Sequence, residues 1–432
     1  MLLGTVPATM QITFITPGTR GDVQPAALVA AELHRRGHRV VLATADDLVP
    51  MGRALGLDTV PLGVDIRAFL RSDDGSEFLR TGGTRAYLTG IAAFKRRIAP
   101  TFFPAVIAAS SGADVLVGNH LTLEEARQLA GVARIPVVAL VHSPRRSNRF
   151  FPAFSVSTAR LPGAVNLVTH RIAARRDRIA NAEYLGDFRR ALGLTRRPED
   201  RGEFPPPDLE VQAYSSLLVP ELRDWSPLRP LTGFPRATAH DHARWGDAGV
   251  DGRLEEWLAA GEPPVFFGFG SMPVRDPAAM TALVDRVCAE LGVRGLIGAG
   301  WSDFGDREDS ERVRVVGSVD HAAVLPRCVV AVHHGGAGTT AEAVAAGIPS
   351  VVCAVSFDQP FWGQRLEDRG LGTWMPFAQL TGARLVEAIR PLLGPDARRR
   401  ARSFRTSLAA EDGTRGAADA IESVGAPTRR GR

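Results

Sequence analysis

A glycine-rich turn in the last third of the sequence is suited to bind an anion. Apolar runs at 328–332 and 351–355 are typical of buried strands, and a helical pattern begins directly after the turn. The turn backbone can approach a ligand closely because it contains Gly335, Gly336 and Gly338. A helix start also offers unpaired N–H groups and the positive end of the helix dipole, which favour a phosphate. We therefore predict a phosphate-binding turn over residues 335–339.

Two polar side chains follow the second apolar run. Asp358 and Gln359 stand where that strand is predicted to end. In parallel α/β sheets, ligands bind at the carboxyl ends of the strands. A carboxylate and an amide there can hold hydroxyl groups next to a bound phosphate. Together with the phosphate-binding turn, they predict a nucleotide-sugar site.

Asp22, near the other end of the chain, is a candidate catalytic residue. Residues 11–16 are predicted as a strand, 17–22 as a turn, 23–36 as an amphipathic helix and 39–43 as the next strand. This β-α-β pattern places Asp22 at the ligand-binding edge of a sheet, where a carboxylate can act as a base. The alternative is that Asp22 only caps the helix that begins near residue 23.

His120 and His142 are weaker candidates for contact with a substrate. Each follows a predicted buried strand, at 114–118 and 135–141, so both belong to the same sheet edge. The alternative for each is a hydrogen-bonded structural histidine. Residues 66–110 contain helical patterns rich in Phe, Leu and Ala, which predict core and could also line a cleft for a lipophilic substrate.

Length and composition predict a two-domain globular protein. A chain of 432 residues exceeds one ordinary core. The net charge of +5 comes from arginine, since Lys95 is the only lysine. Basic residues are not interleaved with aromatics in a stacking pattern, so we do not expect nucleic-acid binding.

The cysteines and the lack of long apolar runs bear on the compartment. Cys288, Cys328 and Cys353 lie in apolar patterns without metal-ligand spacing and cannot form an even disulfide framework. No run of residues is apolar and long enough to cross a bilayer. We therefore expect buried thiols and a cytoplasmic protein. Contact with a membrane surface is expected only if the substrate is a lipid.

Breaks in the pattern predict the domain boundaries. The first α/β half is expected over 1–224, with a last strand at 211–219. A Pro-rich segment over 225–250 is expected to be an extended linker. The second half is expected over 251–397, and a C-terminal helix and basic tail over 398–432.

Three motifs together resemble those of the family-1 glycosyltransferases. They are GTRGDVQP at 18–25, FGFGSMP at 267–273, and HHGGAGTTAEAVAAGIPSVV followed by SFDQPFWG within 333–363. Their order and spacing over nearly the whole chain are most similar to bacterial natural-product enzymes and sterol glucosyltransferases. The resemblance implies an α/β glycosyltransferase-B fold, with two Rossmann-like domains that face each other across a cleft. The first domain would bind the acceptor and the second the nucleotide sugar, and the last helix would return to the first domain within 398–422.

The resemblance also implies roles for individual residues. Asp22 matches the general base of members with this turn. The implied donor-binding residues are Ser271, Val319, His321, His334, Gly336, Ala337, Gly338, Thr339, Asp358 and Gln359. Asp320 departs from the proline that the family often has between the base-contacting positions 319 and 321.

The expected reaction is inverting transfer of a hexose, glucose first, from a UDP or dTDP sugar to a hydroxyl of a lipophilic acceptor. The chain contains no Asp-x-Asp triplet, so neither a metal nor another cofactor is expected. Two alternatives stay open, a nucleotide-sugar epimerase on the same fold and a non-catalytic helper that binds a partner enzyme. A nicotinamide-dependent oxidoreductase is disfavoured because the G-x-G-x-x-G fingerprint is absent after the first strand.

Overall fold

Two parallel six-stranded sheets form the framework of the protein. The computed structural model describes residues 9–72, 84–194, 206–247, 250–268, 270, 276–300, 312–317 and 320–425. The strands of the first sheet are β1 Gln11–Thr16, β2 Arg39–Thr44, β3 Asp58–Pro61, β4 Val115–Gly118, β5 Val137–Val141 and β6 Leu209–Gln212. Those of the second sheet are β7 Val265–Gly268, β8 Gly295–Gly298, β9 Val313–Val316, β10 Val330–His333, β11 Ser350–Ala354 and β12 Gly372–Pro376. This is the α/β class that the sequence predicts.

Helices connect these strands. In the first half they are α1 Arg20–Arg35, α2 Val49–Ala54, α3 Ile66–Arg71, α4 Thr84–Ala109, α5 Leu123–Ala133 and α6 Gly163–Ala191. Later in the chain they are α7 Ala239–Arg244, α8 Gly252–Ala259, α9 Pro277–Leu291, α10 His321–Val324, α11 Ala337–Ala346, α12 Gln359–Asp368, α13 Gly382–Ile389, α14 Pro395–Leu408 and α15 Gly413–Gly425. Within the described ranges, no helix is both long and apolar enough to cross a membrane.

The two sheets have the same strand order. The first runs β3-β2-β1-β4-β5-β6, and the second runs β9-β8-β7-β10-β11-β12, which is the same doubly wound arrangement. The order reverses between β1 and β4 in one sheet and between β7 and β10 in the other. Ligands of such sheets bind outside the carboxyl ends of the strands at this reversal. The segments with Asp22 and with the phosphate-binding turn follow β1 and β10, so both lie at reversal points.

Burial explains why the short strands form where they do. Every residue of β5 is buried, as is every residue of β11, because helices cover both sheet faces. The predicted strands at 11–16, 58–61 and 313–316 have the observed bounds. The three cysteines are all buried, as expected.

The last strand of the first sheet is shorter than the apolar pattern predicts. Strand β6 ends at Gln212 instead of continuing from 211 to 219. Beyond it, Tyr214, Leu218 and Val219 are fully buried in a loop that packs on Trp362 of the second half. An apolar run predicts burial, and here the burial comes from contact between the halves rather than from strand pairing.

The segments that join the halves also differ from their predicted form. The predicted extended linker contains a helix, α7. Thr238 and Asp241 form a capping box at its N-terminus. The C-terminal segment is two helices. Helix α14 packs on α11 of the second half, whereas α15 packs on α1 and buries Ile421 in the first core. The chain therefore returns to the first half at residues 409–412.

A buried polar network links the two halves beside the turn after β1. Arg20 Nη1 donates to Asp247 Oδ1 at 2.7 Å, and Arg20 Nη2 contacts the other oxygen. His242 of α7 bonds Asp247 through Nδ1 at 2.8 Å, and its Nε2 lies 3.4 Å from Asp320 Oδ1 of the second half. Although burial alone would raise it, hydrogen bonds from Arg20 and His242 hold the pKa of Asp247 well below its usual range.

We expect Asp247→Ala to lower the free energy of unfolding by about 2–4 kcal/mol, because it leaves the half-buried Arg20 and the buried His242 without their anion. The measurement is urea unfolding of the two proteins at pH 7. As a control, Glu255→Ala breaks the exposed pair with Arg327 and should leave the urea midpoint nearly unchanged. The pKa of Asp247 is depressed in the folded protein. Its contribution to the free energy of unfolding is therefore present above the ordinary pKa of 3.8 and is lost as the pH falls below that value.

Candidate active site

A cavity of about 550 Å³ lies between the carboxyl edges of the two sheets. The turn after β1 lines it from the first half, and the phosphate-binding turn lines it from the second. The structure thus brings residues 17–25 and residues 334–339 to one site, although more than 300 positions separate them.

Asp22 occupies the first turn of α1. The helix begins at Arg20, not near residue 23 as predicted, because Thr19 is its N-cap. Asp22 Oδ2 accepts from Thr19 N at 2.9 Å and from Thr19 Oγ1 at 3.2 Å, so the carboxylate does cap the helix, as its third residue. A Cβ at position 18 would lie 2.5 Å from Oδ2, so Gly18 is needed for this arrangement.

The other oxygen of Asp22 lies near a neutral imidazole. Oδ1 is 3.8 Å from His120 Nδ1. Burial, and then the positive charge of Arg145, hold the pKa of His120 well below its usual 6.5. Burial also raises the pKa of Asp22 from 3.8 to about 6. A carboxylate with a pKa near neutrality is a stronger base than an ordinary aspartate and is still ionised at pH 7.

The elements around Asp22 fix His120 in place. Asn119, buried at the end of β4, donates to Pro17 O at 3.3 Å, and Thr122 donates to Ile15 O at 2.6 Å. His142 also lines the cavity, and burial lowers its pKa to about 4. Both predicted histidines therefore lie on the cavity wall, and their contact with a substrate stays a prediction.

The phosphate-binding turn has the geometry of a helix N-terminus without a side-chain cap. Gly336 is the N-cap of α11, so no side-chain oxygen occupies the N–H groups of the first turn. Gly335 has φ +87°, and a Cβ there would lie 2.5 Å from Val352 Cγ1. Ala337, Gly338 and Thr339 form the first helical turn, and each lines the cavity. This arrangement is suited to an anion.

His334 is held between two glycines. A Cβ at Gly270 would lie 2.8 Å from its Cε1, and one at Gly336 would lie 2.5 Å from its Nε2. Burial lowers the pKa of His334 to about 4, against the opposite effect of a hydrogen bond to the Gly268 backbone. The ring is therefore neutral at pH 7, and the Gly268 backbone accepts from its single N–H group.

The loop after β11 is strained and tightly bonded. Phe357 has φ +61°, a conformation that costs about 1–3 kcal/mol and clusters at functional sites. Burial raises the pKa of Asp358, whose Oδ2 accepts from Trp362 Nε1 at 3.0 Å. Gln359 Oε1 accepts from Val355 N at 2.7 Å and from Ser356 N at 3.1 Å. The oxygen of this amide is therefore occupied, and its NH₂ group is left for a ligand.

The remaining predicted donor residues fall into two groups. His321 lines the cavity in an edge contact with Phe266, with ring centroids 5.6 Å apart, and burial lowers its pKa to about 4. Ser271 and Val319 lie outside the described residues. Within the part of the chain that is described, no group of three or more His, Cys, Asp or Glu is placed to hold a metal.

Sequence reasoning missed several charged residues on the cavity wall, among them Lys95, Glu125 and Arg145. The positive charge of Arg145 acts against burial on the pKa of both Asp22 and Asp358, so its guanidinium lies within reach of both halves of the site. Arg145 lies in the loop after β5, at the sheet edge where ligands bind, and this position could have identified it as a site residue. Lys95 and Glu125 lie inside helices, where the helical pattern carries no comparable signal.

We expect kcat/KM to rise with pH through about pH 6 and to level off above about pH 7. The predicted role of Asp22 as a base requires its carboxylate to be ionised, and burial raises its pKa to about 6. A pH profile at subsaturating acceptor measures this. Arg145→Met should move the rise to higher pH, since its charge favours the ionised form of Asp22. A rise that is unchanged in Asp22→Asn would assign it to another group.

Comparison with known proteins gives consistent matches. Residues 12–135 match the glycosyltransferase family 28 N-terminal domain, and residues 306–420 match the erythromycin biosynthesis protein CIII-like C-terminal domain. An uncharacterized glycosyltransferase of Mycobacterium tuberculosis is 34% identical over 92% of this chain and 95% of its own. A sterol 3-beta-glucosyltransferase of Arabidopsis thaliana is 29% identical over 95% of this chain and 65% of its own.

Solved structures show the same fold. The glycotransferase of kitacinnamycin matches with a TM-score of 0.69 at 21% identity, over 97% of this chain and 100% of its own. A glycosyltransferase of Streptomyces sp. SF2575, complexed with thymidine diphosphate, matches with a TM-score of 0.59 at 19% identity, over 94% and 98%. The fold that the sequence predicts is thereby confirmed.

Proposed function

Because this chain belongs to the family-1 glycosyltransferases, we propose that it transfers a hexose, glucose first, from a UDP or dTDP sugar to a hydroxyl of a lipophilic acceptor with inversion at the anomeric carbon. The observation that supports this most is that Asp22 and the phosphate-binding turn line one cavity from opposite sheets. The thymidine diphosphate bound by the Streptomyces enzyme and the sterol acceptor in the name of the plant relative agree with it.

In the proposed reaction, Asp22 removes the proton of the acceptor hydroxyl. The oxygen then attacks the anomeric carbon while the bond from that carbon to the diphosphate breaks on the opposite face. The nucleoside diphosphate leaves with the bonding electron pair. The N–H groups at the start of α11 stabilise its charge, and such fixed donors are worth most where water is excluded.

We propose that no metal takes part, since these donors can balance the charge of the leaving diphosphate. Activity should therefore persist in excess EDTA and should not rise when Mg²⁺ or Mn²⁺ is added. Loss of turnover in EDTA that either ion restores would contradict this part of the proposal.

The test of the function is a screen of UDP-glucose and dTDP-glucose against macrolide, anthraquinone, flavonoid and sterol acceptors, with products detected by mass. We expect a hexose adduct on at least one acceptor class. Calorimetry with UDP and dTDP, run in parallel, should detect binding. A helper protein would bind neither nucleotide, and an epimerase would convert the donor without an acceptor.

A further inference from the structure

A buried ion pair lies in the largely apolar wall of the acceptor half of the cavity. Lys95 Nζ is 2.9 Å from Glu125 Oε1, and the side chains are 16% and 0% exposed. Phe69 of α3 also lines the cavity, as do Phe94 and Phe102 of α4, the helix that contains Lys95. A lipophilic molecule against this wall would therefore meet a charged group.

The ammonium group is held so that it can donate into the cavity. Glu125 accepts one of its three N–H bonds, and Nζ lies 4.9 Å from the ring centroid of Tyr184. Within the described part of the chain, Glu125 is its hydrogen-bond partner. The charge of Lys95 is one of several causes, after burial, that lower the pKa of His120, so the ammonium lies in the neighbourhood of Asp22.

Stability does not account for this pair. A buried ion pair loses about as much hydration energy as it gains in attraction, and apolar residues of similar volume are often as stable. Moreover, Lys95 is the only lysine among 52 lysines and arginines, so this site departs from the composition of the whole chain. An ammonium is compact, whereas a guanidinium would need more room and more partners.

We propose that Lys95, fixed by Glu125, determines acceptor specificity by donating a hydrogen bond to a neutral carbonyl oxygen, so that ketone- or quinone-bearing polycyclic aglycones are the preferred acceptors. A neutral group is preferred to an anion here because Glu125 already balances the charge of Lys95. This inference rests on the proposed function and names its substrate class.

Two matched pairs of probes test the inference: estrone against its analogue without the ketone, and hydroxyanthraquinone against hydroxyanthracene with the hydroxyl at the same ring position. Calorimetry without donor measures the affinities of the wild type and of the Lys95→Met/Glu125→Gln double variant. The double variant avoids leaving a buried charge unpaired. In at least one pair, the wild type should bind the carbonyl compound about ten- to a hundredfold more tightly. The double variant should bind both members within about threefold.

Three outcomes would overturn the inference. They are an equal preference in the double variant and the wild type, no preference in the wild type, and no binding of either pair below the millimolar range. As a control, Phe69→Leu trims the apolar wall and should weaken both members of a pair alike, with their ratio unchanged.

A second measurement does not depend on affinity ratios or turnover. Protein labelled with ¹³C-lysine has one lysine signal, because Lys95 is the only lysine. The carbonyl compound should shift that signal and its matched analogue should not; equal shifts would contradict the proposal. Transfer from UDP-glucose to these probes is assayed separately, so failure of the proposed function would show as absent turnover while binding still decides the role of Lys95.

Discussion

Asp22→Asn is expected to lower kcat by about 10²–10⁴-fold and to leave donor binding unchanged. The substitution removes the proposed general base, and general base catalysis contributes about that factor. Asparagine keeps an oxygen that can accept from Thr19 N, so the turn after β1 should retain its shape. Turnover at saturating donor and acceptor measures the loss, and calorimetry with UDP measures donor binding.

Thermal unfolding separates this loss from a loss of fold. The folded pKa of Asp22, about 6, lies above its ordinary 3.8, so its favourable contribution to stability is present below about pH 3.8 and is lost as the pH rises to about 6. At pH 8 the asparagine variant should therefore unfold at the same temperature as the wild type or higher. Normal turnover by the variant would leave Asp22 with its capping role alone.

Gly336→Ala is expected to weaken UDP binding by about ten- to a hundredfold, because a Cβ there would lie 2.5 Å from His334 Nε2. Gly270 also lies close to the ring, since a Cβ there would be 2.8 Å from His334 Cε1. Position 336 has φ −60°, which alanine adopts freely, so the backbone of the turn should persist. Calorimetry with UDP measures the effect.

A double-mutant cycle tests whether the ring is responsible. In a His334→Ala background, Gly336→Ala should cost little further affinity, because the methyl group then meets no imidazole. Gly338→Ala is the control for stability, since its Cβ would have nothing within 4 Å and alanine favours a helix. Equal losses from Gly336→Ala in both backgrounds would assign the effect to contact with the phosphate itself.

Local patterns in the sequence predicted most of the secondary structure. Strand β1, with five of its six residues buried, has the predicted bounds, and so does β9, of which only Val313 is buried. The pattern failed at 211–219, where apolar residues are buried by the other half of the protein instead of by strand neighbours. It also missed the helix start at Arg20, because the capping box lies in residues that were assigned to the turn.

The sequence by itself determined the fold class, the phosphate-binding turn and the candidacy of Asp22. These depend on periodicity, on glycines and on residues that follow strands, all of which are local in the chain. Tertiary structure alone decided that His120 lies beside Asp22 and that Arg20 reaches Asp320 through Asp247 and His242.

The same holds for the acceptor wall. Nothing in the helical pattern around Lys95 distinguishes it from a solvated lysine, and Glu125 lies in another helix 30 residues later. Their meeting depends on the packing of α4 and α5 against α6, and the raised pKa of Asp22 depends on its burial. Side-chain neighbours and dielectric surroundings are properties of the folded chain, and they are the physical reason why the sequence indicates the site but not the environment that makes it reactive.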